Sequence, residues 1–203
     1  MSISQKTKKP KAPKREAGSK RSRLTRAEWL RRALDVLATR GPSSLNIQRL
    51  VDALGVTRGS FYWHFTDRAD FVHALLDYWH EVYTAPVPDL VGSEGGTGRE
   101  KFLRFIRAVH DTDLTRFDMS IRSWAMQEPE VAQQVIRTDR FRLEFTTSLF
   151  VEMGFSARQA DLRAQSCIAY LIMGRYLLKD PDTTPDAIQL EEMCMFFCDR
   201  PIR

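Results

Sequence analysis

Residues 41 to 71 read GPSSLNIQRLVDALGVTRGSFYWHFTDRADF, and the fold follows from how apolar and contact-making residues are distributed along them. Asn46 is a favourable helix N-cap, and Ile47, Leu50, Val51 and Leu54 follow at helical spacing, which predicts a two-turn helix that buries one face. Gly55 tolerates the left-handed conformation that ends such a helix. Thr57 then caps a second short helix of different character. Arg58, Gly59, Ser60, Tyr62, Trp63 and His64 offer donors, flat rings or no side chain at all, while Val56, Phe61 and Phe65 remain as apolar anchors. A helix so rich in contact groups is poor at packing. Its fitting partner is a groove edged with phosphates, which hydroxyls and helix N-terminal N–H groups bind well.

At these residues the sequence resembles the TetR family of bacterial transcription regulators. The resemblance rests on Gly41, Gly55, Val56, Gly59, Tyr62, His64, Phe65 and Arg68, and covers about the first quarter of the chain. Two positions depart from the family's pattern. Arg49 stands where an acidic residue is usual, and Arg68 stands where a lysine is usual, although a guanidinium grips a phosphate bidentately. The resemblance implies an N-terminal three-helix helix-turn-helix head over residues 24–70. A helical regulatory and dimerisation domain over 71–203 follows it. It further implies a homodimer through the last two helices, reading a palindromic operator in double-stranded DNA, and an unknown small-molecule effector that releases the DNA. On that surface Arg58 reaches guanine O6 and N7, Ser60 and Tyr62 meet bases or phosphates, and Thr57, Trp63, His64 and Arg68 clamp the backbone. Asn46 and Gln48, at the start of the preceding helix, complete the surface, and Gly59 keeps bulk out of it.

The charge is unevenly placed. Residues 1–26 hold ten Lys or Arg against Glu16 alone, a local balance of +9, so the rest of a chain of net charge +5 sums to −4. A basic arm over residues 1–23, with Pro and Ser and no apolar period, is expected to be disordered alone and drawn to phosphates or the minor groove, with Arg21 and Arg23 nearest the head. At 203 residues the chain can bury a substantial core but is short for two large domains. No run approaches the roughly 18 apolar residues of a membrane span, and no apolar signal region opens the chain. A cytoplasmic protein without a membrane partner, nucleoid-associated when on DNA, is therefore expected. Cys167, Cys194 and Cys198 lack a nearby His or further thiol for zinc and read as small buried hydrophobes.

Outward from the central stretch, Thr25 and Glu28 have capping-box spacing ahead of the stripe Leu30, Ala33, Leu34 and Leu37. After it, Thr66 or Asp67 caps a helix to about Thr84 whose stripe of Phe71, Val72, Leu75, Leu76, Trp79, Val82 and Tyr83 exceeds what a three-helix head can cover. Its second half is expected to pack on the body. Residues 85–98, with two prolines and four glycines, read as a flexible connector. Helical segments are predicted around 102–109, 117–125, 131–153, 156–179 and 185–199, and the absence of strand-like alternation makes the chain all-α. The last two segments are apolar on more than one side, at Ile168, Ile172 and Met173 and at Leu190, Met193, Met195, Phe196 and Phe197. The second face suggests the dimer partner.

Asp70, His73, Asp77 and His80 repeat a carboxylate-x-x-His spacing on one helix, but metal sites in bundles draw ligands from several helices. A solvated face with i to i+4 pairing is the expectation, and neither a metal nor a cofactor is predicted. Nor is an enzyme, since no nucleophile, base and orienting group occur together and no glycine-rich phosphate loop is present. The resemblance implies a ligand cavity, for which Trp79, Tyr83, Phe105, His110, Phe117, Trp124, Phe141, Phe145, Tyr170 and Met173 are candidates, although the same aromatics suit any helical core. His110 reads either as a core histidine or as a polar contact in that cavity. A mainly apolar or aromatic ligand is expected. If the arm lies along DNA, deleting residues 1–23 weakens binding to every duplex and flattens its salt dependence by about 0.9 log unit for each phosphate that the arm neutralises. Titrations of both proteins at several salt concentrations check this, and parallel slopes would show that the arm stays off DNA.

Overall fold

The structure, a computed structural model, describes residues 24–174 and 187–199, and among these it contains ten α-helices, one 3-10 turn and no strand. The head begins with α1 (Arg26–Arg40), closed at its start by a capping box. Glu28 N donates to Thr25 Oγ1 at 3.2 Å, and Thr25 N donates to Glu28 Oε2 at 2.8 Å. A 3-10 turn at Pro42–Leu45 leads to α2 (Ile47–Leu54) and α3 (Arg58–His64), and Gly55 between them adopts φ 64°, ψ 32°. That left-handed turn lets the chain double back within three residues, which a β-carbon would resist. Then comes α4 (Arg68–Tyr83), capped by Asp67 accepting from Asp70 N at 2.9 Å.

The body comprises α5 (Val87–Gly92), α6 (Gly98–Asp111), α7 (Asp118–Ala125), α8 (Pro129–Glu152), α9 (Ala157–Met173) and α10 (Ala187–Cys198). Two hydrophobic cores form, and neither coincides with the expected boundary at residue 70. The first joins α1, α2, α3 and α4 to Phe117, Ile121, Trp124, Val131 and Val135 of the body. The second gathers α5, α6, α9 and α10 around the C-terminal half of α8. Helix α4 crosses the expected boundary, and its Phe71, Leu75 and Trp79 are wholly buried in the first core.

Two expectations are corrected. Residues 85–98 are not a flexible connector: Val87 and Val91 lie one turn apart on α5 and are buried, and Arg104 of α6 donates from Nε to the Val91 carbonyl at 3.0 Å and from Nη2 to the Gly95 carbonyl. Burial of a short apolar face outweighed the local proline and glycine signal. The Asp70, His73, Asp77, His80 face is solvated at His73 and Asp77, as expected, but His73 and His80 pair with α8 and not within the face. His80 is half-buried, with Nδ1 3.2 Å from Thr138 Oγ1 and its ring edge-on to Phe141, so this end of the face packs on α8, while His73 pairs with Glu130 at the surface. Among the described residues no group of three metal-ligating side chains occurs, and no helix is long and apolar enough to cross a membrane. The three cysteines are buried free thiols.

One buried ion pair joins the elements of the body to α4. Asp118, with no solvent exposure, accepts from Arg142 Nη1 at 2.5 Å, and Arg142 also donates to Thr84 Oγ1 through Nε at 3.1 Å and Nη2 at 2.8 Å. Thr84 is the C-cap of α4. Burial pushes the Asp118 carboxyl above the usual carboxylate range, against the opposing pull of Arg142 and Arg122. Removing one member of such a pair strands the other charge. Asp118→Ala should therefore lower the unfolding free energy by about 3–5 kcal/mol, whereas Thr97→Ala, which removes only the α6 cap, should cost about 1 kcal/mol. Urea denaturation measures both, and similar small losses would show that the pair does not hold the body together.

Candidate nucleic-acid interface

Helix α3 divides cleanly between inside and outside. Phe61 and Phe65 are buried against Trp29 and Phe71, with ring centroids 5.2–6.1 Å apart and mostly edge to face. Tyr62 and Trp63 are 52% and 66% exposed, and Thr57, Arg58 and Gly59 are exposed beside them. Leaving these aromatic rings in solvent forgoes roughly 1.5–3 kcal/mol each relative to burial inside the chain. Thr57 accepts from Ser60 N at 3.2 Å, fixing the start of the helix.

The structure places the other candidates variously. Asn46 and Gln48 are exposed at the start of α2, where Asn46 Oδ1 accepts from Gln48 N at 3.0 Å and Gln48 Nε2 donates to Asp52 at 3.0 Å. Ser60 and His64 turn toward α1: Trp29 Nε1–H donates to Ser60 Oγ at 3.2 Å, and His64 Nε2–H donates to the Leu24 carbonyl at 2.8 Å. These two polar residues brace the helix from behind. Arg68, exposed at the first position of α4, is paired with Glu128 at 2.6 Å. No local signal pointed to that partner, which lies 60 residues away. Arg21 and Arg23, with the arm over residues 1–23, lie outside the described residues.

Gly59 carries an independent signal. Its backbone is ordinary helix, and a β-carbon there would meet only Thr57 Oγ1, at 3.7 Å. Nothing inside the chain requires glycine, although glycine within a helix costs about 1 kcal/mol relative to alanine. Replacing Gly59 therefore probes what approaches α3 from outside without disturbing the packing within the chain.

Residues 30–75 match the family model described as bacterial regulatory proteins, tetR family. The head is a TetR-family domain. A stretch of 59 residues is 39% identical to the HTH-type transcriptional regulator TtgR of Pseudomonas putida, a match that spans 29% of this chain and only 28% of that regulator's length. Across the whole fold, a TetR transcriptional regulator from Legionella pneumophila superposes with a TM-score of 0.65 over 90% of this chain and 97% of its own, at 15% identity. Superantigen PfiT superposes with a TM-score of 0.62 over 89% of this chain and 96% of its own, at 16% identity. At such identities the likeness concerns the fold alone, so the argument about DNA rests on the TetR-family head.

Behind this head, a narrow cavity of about 40 Å³ lies between α4, α6, α8 and α9. Four of the candidate ligand residues, Tyr83, Phe105, Phe141 and Phe145, line it, together with Thr84 and Arg142 at its polar side. The structure does not bring the other six there. Trp79, Phe117 and Trp124 are sealed in the first core, and Tyr170 and Met173 are 40% and 36% exposed on α9. His110 is half-buried near the end of α6, away from the cavity wall.

Gly59→Ala separates folding from contact. The variant should be more stable by about 0.5–1 kcal/mol yet bind duplex DNA more weakly. Arg58→Ala and Tyr62→Ala should weaken binding too, by about 1–3 kcal/mol for each bidentate pairing with a base that is removed. Thermal melting and fluorescence anisotropy on the same samples check this. A stabilised Gly59→Ala protein that binds DNA as well as the wild type would move the contact surface off α3.

Proposed function

We propose that the chain is a homodimeric, sequence-specific regulator of transcription acting in the cytoplasm, a repressor that a small, mainly apolar ligand releases from a palindromic operator. The observation that carries this reading is the division of α3, with Phe61 and Phe65 locked inward and Arg58, Tyr62 and Trp63 presented outward on a TetR-family head. Such a helix reads only a few bases, and two copies related by a two-fold axis read half-sites about one turn of DNA apart.

A partner surface is available on the last two helices. Leu162, Tyr170 and Met173 of α9 and Ile188, Met195 and Phe196 of α10 are exposed, whereas Ile168, Ile172, Leu190 and Phe197 fill the chain's own core. Arg163 of α9 donates to the Phe197 carbonyl and, at 2.7 Å, to the Asp199 carbonyl, fixing the two helices to each other. The effector reading rests on the cavity's position against Thr84 and Arg142, at the end of the helix that crosses from head to body. A pocket for a drug-sized ligand usually exceeds about 300 Å³, so a ligand has to open this one, and the displacement would reach α4 directly. The same small volume favours a second reading, a DNA binder that needs no ligand.

The reading is tested by titrating labelled duplexes from the DNA flanking the gene, with and without small apolar compounds. Tighter binding to one flanking palindrome than to random duplex is expected, with loss of binding on ligand addition; equal binding to both duplexes would overturn the regulator, and ligand-insensitive binding would leave the second reading. Phe196→Asp, at a position 77% exposed in the single chain, should leave the fold intact and convert a dimer to a monomer in light scattering. A wild-type monomer in that measurement would rule out the assembly.

A further inference from the structure

Arg68 occupies the first position of α4. The positive end of a helix dipole disfavours a cation there, so the guanidinium needs an anion beside it. The chain supplies one from the body: Arg68 Nη2 donates to Glu128 Oε1 at 2.6 Å. Glu128 is itself the N-cap residue of α8 and makes no side-chain capping bond, so its carboxylate serves the head and not its own helix. It is placed for this by Pro129, which starts α8. Glu130, in the same first turn of α8, pairs with His73 of α4. Other anions near the start of α4 are already engaged: Asp67 caps α4, and Asp70 accepts from Thr66 N at 2.7 Å and lies 3.7 Å from Arg26. Arg68 and Glu128 are half-exposed, so water and a competing anion can reach the pair.

We propose that Glu128 competes with a DNA phosphate for the Arg68 guanidinium, so that the body holds back one backbone contact of the head. This rests on the reading above in which Arg68 grips the backbone. Burial raises the Glu128 carboxyl, but hydrogen bonds from Arg68 and Trp124 and the Arg68 charge together outweigh it, so the group stays below its ordinary value and charged at neutral pH. A phosphate brought to Arg68 meets that charge within a few ångströms, and the two anions repel each other. The pair therefore opens as DNA binds, and the body loses one of its ties to α4 at the same moment.

The test uses the full chain and a random-sequence duplex, since a phosphate contact carries no sequence information. Glu128→Gln should bind about 2–5-fold more tightly, the range set by an exposed ion pair, with a salt dependence steeper by up to about 0.9 log unit. In an Arg68→Ala background the same substitution should change nothing. Glu130→Gln removes an equal charge from the same end of α8 and should have the smaller effect. If Glu128→Gln tightens binding equally with Arg68 present or absent, or if Glu130→Gln matches it, general charge repulsion explains the result and the competition is overturned. If the wild type binds no duplex at any salt concentration, the DNA reading fails and the competition with it. Thermal melting of each variant confirms that folded proteins are compared.

Discussion

Trp29, Phe61, Phe65 and Phe71 meet with ring centroids 5.2–6.1 Å apart in the space between α1, α3 and α4, and the rest of the head depends on their burial. Helix α3 has seven residues. A helix of that length is not stable alone, because the cost of nucleation exceeds what two turns of hydrogen bonds return. Two inward phenylalanines, one glycine turn before them and polar ties to Trp29 of α1 and to Leu24 just before it hold it in place. Tyr62, Trp63 and Arg58 are exposed on its outer face.

Helix α4 carries the head's position into the body. Its first turns complete the aromatic cluster, Trp79 lies beneath the Arg142 guanidinium at 5.2 Å, and its C-cap Thr84 accepts from the same arginine. The Asp118–Arg142 pair is buried at the point where α4, α7 and α8 converge. A buried ion pair adds little net stability compared with apolar packing, but its directional bonds specify one arrangement of the helices they join. Further ties at Arg68–Glu128, His73–Glu130 and Arg116–Asp35 link the head to the body at its surface. These polar ties add to the first hydrophobic core, which itself joins the head helices to Phe117, Ile121, Trp124, Val131 and Val135 of the body.

The cavity at that junction is small because Phe105, Phe141 and Phe145 close over it from α6 and α8. Its polar side is formed by groups that also fix the end of α4, so any occupant would compete with the structure for the same hydrogen bonds. The general likeness of the body to solved structures does not bear on what that occupant is. The fold is shared by a regulator and by a protein named a superantigen, at 15% and 16% identity.

By itself the sequence determined most of the helices and which apolar side of α3 is buried, but not α5, which lay hidden under its proline and glycine signal. Apolar spacing, the Thr25, Asn46, Thr57 and Ser156 caps and the left-handed position at Gly55 are local signals, and the helices begin where these caps indicate. The outward residues of α3 were legible for the same reason, since Phe61 and Phe65 fix which side faces the core. Pairings between distant segments were not legible. His64 with Leu24, His80 with Thr138, Arg142 with Asp118 and Thr84, and Arg68 with Glu128 join residues 24 to 60 positions apart, and charge or polarity in one segment does not name its partner in another. The aromatic residues divide in the same way. Trp79, Phe117 and Trp124 are core and Phe105, Phe141 and Phe145 line a cavity, although spacing treats all six alike. Helical periodicity says which side of a helix is buried, and only the packing of helices against one another decides whether that side meets side chains or a space between them.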